Sequence, residues 1–278
     1  MQDRGAEHAV PEGQRVTERL EDGWQPDTPE GDTIVHAFAA GFARWMLDLG
    51  AALGGRTLDD PMVSALDTGS DFFLANGAVL KRPFREAELA GVVARLREFY
   101  AEVAGGPWAL FSPFPLSDPT AVGLHLEGHP PLMARAPSGI AAPPDPPAGI
   151  EIVKAHDVRT VEGFAEALAG YPAPDTRVFA NPALLDLPGT HVFVAYEGDR
   201  PVACAAAHTT EACVHVDFVA AHEDVRGRGI GEAVTWRATL ADPTKPAVLI
   251  ASDPGQPVYE RMGYLRITRF TCWTGGRT

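Results

Sequence analysis

Between Ser138 and Gly149 the chain reads SGIAAPPDPPAG, with four prolines in twelve residues. Proline fixes φ and has no backbone N–H, so this stretch can neither continue a helix nor lie inside a sheet. A polyproline-like spacer between two folded units fits it best. The chain has 278 residues, 45% of them hydrophobic and 22% charged, enough for a real core on each side. The expected organisation is a loosely ordered polar tail over 1–30, a first domain over 31–137, the spacer over 138–149 and a second domain over 150–278.

The second domain alternates plainly. IEIVKA, from Ile150, reads as a strand, and Asp157 can cap a helix with Val158, Val161, Phe164, Ala165 and Leu168 on its face. THVFVAYEGDRPVACAAAHTT reads as two strands turning at Glu197-Gly198-Asp199-Arg200, and ACVHVDFVAA as a further strand. A glycine loop follows, then a helix from Ile230 to about Ala241, a strand AVLIAS, a short helix QPVYERM and a final strand from Tyr264 to Trp273. The fold class is α/β, a mixed and mostly antiparallel sheet flanked by helices.

The glycine loop, VRGRGIGEAV, lies between a strand and a helix. First-turn N–H groups of a helix have no internal partner, and the helix dipole adds positive character there. Gly227, Gly229 and Gly231 let a phosphate approach without meeting a Cβ, and Arg226 and Arg228 place charge where a pyrophosphate would sit. No Lys-Ser/Thr follows, so this is not a P-loop, and the spacing is not that of a dinucleotide fold. An ordinary tight turn is the competing reading.

Arg226, Gly229 and Gly231 form Arg-x-x-Gly-x-Gly after VDFVAAHEDV, and VYERMGYLRITRFTCW follows some thirty residues on. Over about Ile150 to Trp273 the sequence resembles the GNAT superfamily of acetyl-CoA-dependent N-acyltransferases. The resemblance implies that the loop backbone, with Ile230, binds the coenzyme A pyrophosphate. It also implies that the preceding strand, at Phe218, Val219 and Ala220, splays open to pair with pantetheine. Tyr259, Gly263 and Tyr264 match the family's Tyr-x-x-x-Gly-Phe/Tyr segment, which makes Tyr259 the expected acid near the coenzyme sulfur. For the base, Cys213, His215 and Asp217 alternate on one strand face, and His215 falls where the family's glutamate is expected. His215 and Asp217 are both candidates, alone or acting together through water; a histidine's reference pKa of about 6.5 suits amine deprotonation near neutrality. Ser252 stands where an asparagine often ends the strand before the last helix, a departure that weakens side-chain bonding to coenzyme but not the loop.

The first domain is read less completely. Val35, Phe38, Phe42, Met46, Leu49 and Leu53 recur at spacings of three and four and mark an amphipathic helix; Leu74 to Leu80 is a short strand. Pro83 opens a second helix with Leu89, Val92, Val93, Leu96, Phe99, Tyr100 and Val103 on one face. PWALFSPFP is a further strand, and HPPLMAR closes the region. This is the element order of the second half of the C-terminal unit, with GLHLEGHPPLM standing where MGYLRITRFTCW stands. A degenerate GNAT-like repeat is expected, an unrelated helical domain being the alternative. KRPFREAE replaces RGRGIG there, so no coenzyme site is expected in this half.

A formal charge of −14 disfavours nucleic acid and anionic membranes. Cys204, Cys213 and Cys272 have neither disulfide nor zinc spacing, so buried free thiols, no metal and a cytoplasmic setting are expected. MQDRGAEHAVPEGQ lacks the apolar core of a signal peptide, and HAFAAGFARWMLDLGAALGG carries Arg44 and Asp48, unlike a membrane span. The expected activity is transfer of acetyl, or another short acyl group, from acetyl-CoA to a primary amine of a small molecule. An amine-rich antibiotic, a polyamine or an amino-acid-like acceptor would suit the acidic surface. A non-catalytic acyl-CoA sensor or scaffold of the same fold is the alternative, and oligomeric state is left open.

Overall fold

The computed structural model describes residues 33–114, 123–137, 139–140, 142–170 and 175–276. The tail expected over 1–30, and Ser138 and Ala141 of the spacer, lie outside them.

The first half runs α1 (Ile34–Ala52), β1 (Arg56–Asp59), β2 (Val63–Asp67), β3 (Gly77–Leu80), α2 (Glu86–Ala101), β4 (Trp108–Ser112), β5 (His125–Gly128) and β6 (Pro131–Arg135). The second runs β7 (Ile150–Lys154), α3 (Val158–Leu168), β8 (Thr190–Glu197), β9 (Arg200–Thr209), β10 (Val214–Ala221), α4 (Ile230–Thr239), β11 (Ala247–Ile250), α5 (Gln256–Arg261), β12 (Leu265–Arg269) and β13 (Thr271–Gly275). Local signals explain most starts. Thr33 caps α1, its hydroxyl accepting from the His36 N–H at 3.2 Å, and Asp157 caps α3 by accepting from the Thr160 N–H at 2.9 Å. Pro83 does not open α2: the helix begins three residues later, after Arg85, whose N–H is bonded by Glu88 in a capping box.

The strands form a six-stranded sheet, β1-β2-β3-β4-β13-β5, and a seven-stranded sheet, β12-β6-β11-β10-β9-β8-β7. The expected final strand is therefore two strands in two sheets. The chain crosses over at Phe270, which is fully buried and donates its N–H to Pro130 O at 2.9 Å. Alternation of apolar residues cannot signal such a break, because it does not say which sheet a strand joins.

The exchange is reciprocal. β6, the last strand of the first half, inserts between β11 and β12; β13, the last strand of the second, inserts between β4 and β5. β3 and β4 are parallel around α2, as β10 and β11 are around α4. Gly123 and Gly263, at φ 72° and 87°, each stand two residues before the matching strands β5 and β12. The first half is thus a repeat of the second, not an unrelated helical domain, and the spacer divides the sequence without dividing the sheets.

Three cores follow from this. α2 covers the outer face of the six-stranded sheet, where Tyr100 stacks on Trp108 at 4.9 Å. α4 and α5 cover the outer face of the other. The inner faces share one core with α1 and α3. Within it Phe38, Met46 and Leu49 of α1 are almost fully buried, each contributing roughly 1.5–3 kcal/mol.

Candidate active site

β10 and β11 pair at Val214–Ala247 and His215–Val248 and no further. A bulge in β10 accompanies the parting. Asp217 faces Ala206 and Ala220 faces Cys204, so Phe218 and Val219 together oppose one residue of β9. Phe218 takes φ 51°, a left-handed conformation that costs a phenylalanine roughly 1–3 kcal/mol. Its surroundings hold it there: the Asp217 carboxylate accepts its N–H at 2.8 Å, the Cys204 thiol donates to its carbonyl at 3.4 Å, and its ring packs on Phe179 at 4.7 Å.

Where the strands part, a cavity of about 570 Å³ opens between the two halves. His215, Asp217, Phe218, Val219, Ser252 and Tyr259 all line it. The opposite wall belongs to the first half, and α1 supplies much of it. The apolar spacing that marks α1 omits Trp45 and does not say whether protein or cavity meets that face. The excess of aromatic residues on that face was the available signal.

The two base candidates differ sharply. His215 is buried against Phe38, with ring centroids 5.1 Å apart, and its Nε2 lies 3.2 Å from Cys213 Sγ. Nδ1 has no hydrogen-bond partner. Burial, with a smaller contribution from His208, pulls its pKa down to about 3, so the ring stays neutral and weakly basic near neutrality. Asp217 moves the other way. Burial raises its carboxyl to about 6, opposed by the Phe218 N–H and by the nearby Trp45 indole, which lies outside hydrogen-bond geometry. A carboxyl titrating there is matched to proton transfer near neutral pH.

The glycine loop lies at the far end of β10, and none of its residues lines the cavity, nor does Ala220. Gly229 is the N-cap of α4 at φ 79°, with Gly227 at φ 76°, and no side chain caps the helix. Ile230 is buried beneath it. A Cβ added at Gly227 would meet nothing within 4 Å, and one at Gly231 only Ala221, at 3.9 Å. The backbone cradle thus fits an anion such as a pyrophosphate. The arginines are placed differently from expectation. Arg226 donates to Ala221 O and Gly170 O at 3.3 and 2.9 Å, and Arg228 pairs with Glu197 at 2.6 Å. Both guanidiniums are thus partly committed to bracing the loop, though exposed, while the first-turn backbone amides are unshared donors for an anion. Ser252 accepts the Gly255 N–H at 3.3 Å, bracing the start of α5. Cys204, Cys213 and Cys272 are buried and unpaired. Among the described residues no helix is long and apolar enough to cross a membrane.

Residues 188–266 match the family model of the acetyltransferase (GNAT) domain. A GCN5-related N-acetyltransferase from Kribbella flavida superposes with a TM-score of 0.58 at 22% identity, over 84% of this chain and 96% of that one. A putative GNAT-family acetyltransferase from Novosphingobium aromaticivorans gives 0.54 at 20% identity, over 86% and 99%. A conserved protein of unknown function from Staphylococcus epidermidis gives 0.57 at 14%, over 81% and 96%. No curated protein matches the chain. The chain has the GNAT fold across both halves, with the superfamily's acetyltransferase domain matched at 188–266.

Proposed function

We propose that the chain is an N-acyltransferase that moves an acetyl group from acetyl-CoA to the primary amine of a small molecule. One observation carries the reading. A carboxyl raised to about 6 and a tyrosine line one cavity, at the parting of β10 and β11, and the strand bearing the carboxyl leads to an uncapped helix N-terminus. The co-substrate supplies an acyl group activated as a thioester. The amides of Gly229, Ile230 and Gly231 would hold its pyrophosphate, and Phe218 and Val219, freed from register with β9, would flank its pantetheine.

Asp217 orients the amine and accepts the proton it sheds as its nitrogen bonds to the acyl carbon. Tyr259 donates to the sulfur as the carbon–sulfur bond breaks. His215, neutral throughout, positions rather than titrates. Excluding water from this largely apolar cavity strengthens both proton transfers.

Calorimetry with acetyl-CoA, beside the Gly229→Glu, Gly231→Glu variant, tests the coenzyme half of the reading. One-to-one binding that the folded variant loses supports it. No binding to acetyl-CoA, longer acyl-CoAs or free coenzyme A would make the loop only a turn. Binding without thiol release in the presence of any amine would favour a sensor over an enzyme.

A further inference from the structure

One wall of the cavity is apolar and would not suit an acceptor whose body is rich in amines or hydroxyls. Phe42 and Trp45 of α1, Phe73 and Leu74 of a 3-10 turn, and Phe111 of β4 form the wall opposite Asp217. Phe42, Phe73 and Leu74 are only partly buried although they adjoin the shared core, because they keep surface turned to the cavity. Glu127, His129, Ser252, Asp253 and Arg269 also line it; all five are exposed, and Arg269 is tied to the His129 carbonyl at 2.6 Å. Two buried polar atoms on lining residues have no protein partner, Trp45 Nε1 and His215 Nδ1. Both atoms are fully enclosed, so of these polar groups the partly buried Asp217 is the one a ligand can reach.

We infer that the acceptor is a primary amine carrying an apolar, aromatic-sized body, its amine held at Asp217 and its body lying on the α1 wall. The inference rests on the proposed function and specifies its acceptor. Beside that wall one ammonium satisfies the chemistry available, donating to the Asp217 carboxylate. Each further ammonium or hydroxyl, as in a polyamine or aminosugar, would lose its water against a wall that offers no partner. An apolar ring or branched chain covers that wall, and a volume of about 570 Å³ accommodates a small molecule of that kind. An acyl chain filling the same space would leave the carboxylate facing alkyl groups, which favours the acceptor as occupant.

The test uses the full chain. Binding of acetyl-CoA is measured by calorimetry, and binding of each amine by thermal shift and tryptophan fluorescence. Acylation is followed by thiol release and product mass for 2-phenylethylamine, tryptamine, hexylamine, spermidine and glucosamine. The expected result is kcat/KM at least ~10-fold higher for the apolar amines. Phe42→Ala, Phe73→Ala should lower that preference about tenfold while acetyl-CoA still binds. Should the double variant not fold, Leu74→Gln, at a partly exposed turn, serves instead. Preference for spermidine or glucosamine, no discrimination, or no binding of any apolar amine overturns the inference. So does a preference for octanoyl-CoA over acetyl-CoA that Phe42→Ala, Phe73→Ala abolishes, which would give the wall to the acyl chain. Apolar-amine binding without acetyl-CoA binding overturns the proposed function and leaves the cavity's ligand class standing.

Discussion

Gly41 of α1 lies directly against the imidazole of His215 in β10, so close that a Cβ at Gly41 would overlap Nε2. This contact lets a helix of the first half close over β10 of the second. Glycine inside a helix normally costs roughly 0.5–1 kcal/mol relative to alanine, so Gly→Ala in a helix usually stabilises. Here the overlap outweighs that gain. Gly41→Ala is expected to destabilise by about 1–3 kcal/mol, measured by urea unfolding. Gly91→Ala in α2, where an added Cβ meets nothing within 4 Å, is the control and should stabilise. The loss at Gly41 should shrink in a His215→Ala background, since the two sites are coupled. A stabilising Gly41→Ala would mean that α1 does not sit on His215.

Asp217→Asn should separate stability from activity. The folded carboxyl has a pKa of about 6, above the usual value of 3.8. The folded state therefore keeps its proton to higher pH than the unfolded chain. Its effect is neutral below about 3.8, then stability falls as pH rises through 3.8 to 6, and above 6 the charged form costs on the order of 2–3 kcal/mol. Asparagine keeps an oxygen for the Phe218 N–H and removes that cost. The variant should be the more stable protein at pH 8 and lose its advantage at pH 4. His215, whose folded pKa of about 3 lies below its ordinary 6.5, loses stability as pH falls below about 6.5, in both proteins alike, and cancels in the difference. Equal melting of the two proteins at pH 8 would contradict the raised carboxyl.

The same titration sets a rate profile. kcat/KM should rise with pH along a limb near 6, because the base must be ionised to accept a proton. Asp217→Asn should abolish that limb and lower kcat by about 10²–10⁴. A limb unchanged in the variant would assign the titration to another group.

How far the site could be read beforehand depended on how local each signal was. The cap at Asp157, the turn at Gly198 and the face shared by Cys213, His215 and Asp217 are short-range, and all stand in the structure. His215 and Asp217 looked interchangeable, because what sets their pKa values is burial by α1, about 170 residues away in sequence. Arg226 and Arg228 looked like anion ligands because the carbonyls of Ala221 and Gly170 and the carboxylate of Glu197 were not visible beside them. Which residues form the aromatic wall is not legible for the same reason: periodicity places Phe42 on an apolar face without saying whether protein or cavity meets it.

Tyr259→Phe isolates the proposed proton donor. The ring is nine-tenths buried, lies 2.9 Å from where a Gly255 Cβ would stand, and is kept by phenylalanine. Stability and acetyl-CoA affinity should therefore change little. kcat should fall by about 10²-fold or more, the range for a lost general acid. The deficit should narrow with a thioester whose thiol leaves more readily, since such a thiolate needs less protonation. Unchanged turnover on a true acceptor would remove Tyr259 from the chemistry.

The reciprocal placement of β6 and β13 makes each half incomplete without the other. Residues 33–137 alone would lose β13, leaving β4 and β5 with no strand between them, and residues 142–276 alone would lose β6 from between β11 and β12. Each fragment would expose unpaired strand edges, together with the inner sheet faces that now share one core. Expressed separately, the two are expected to aggregate or remain unfolded by circular dichroism. Expressed together, they should co-purify as a folded one-to-one pair, because the described residues of the spacer at 138–149 contribute no strand to either sheet. A 33–137 fragment that folds alone as a monomer would mean that β4 and β5 can close without β13.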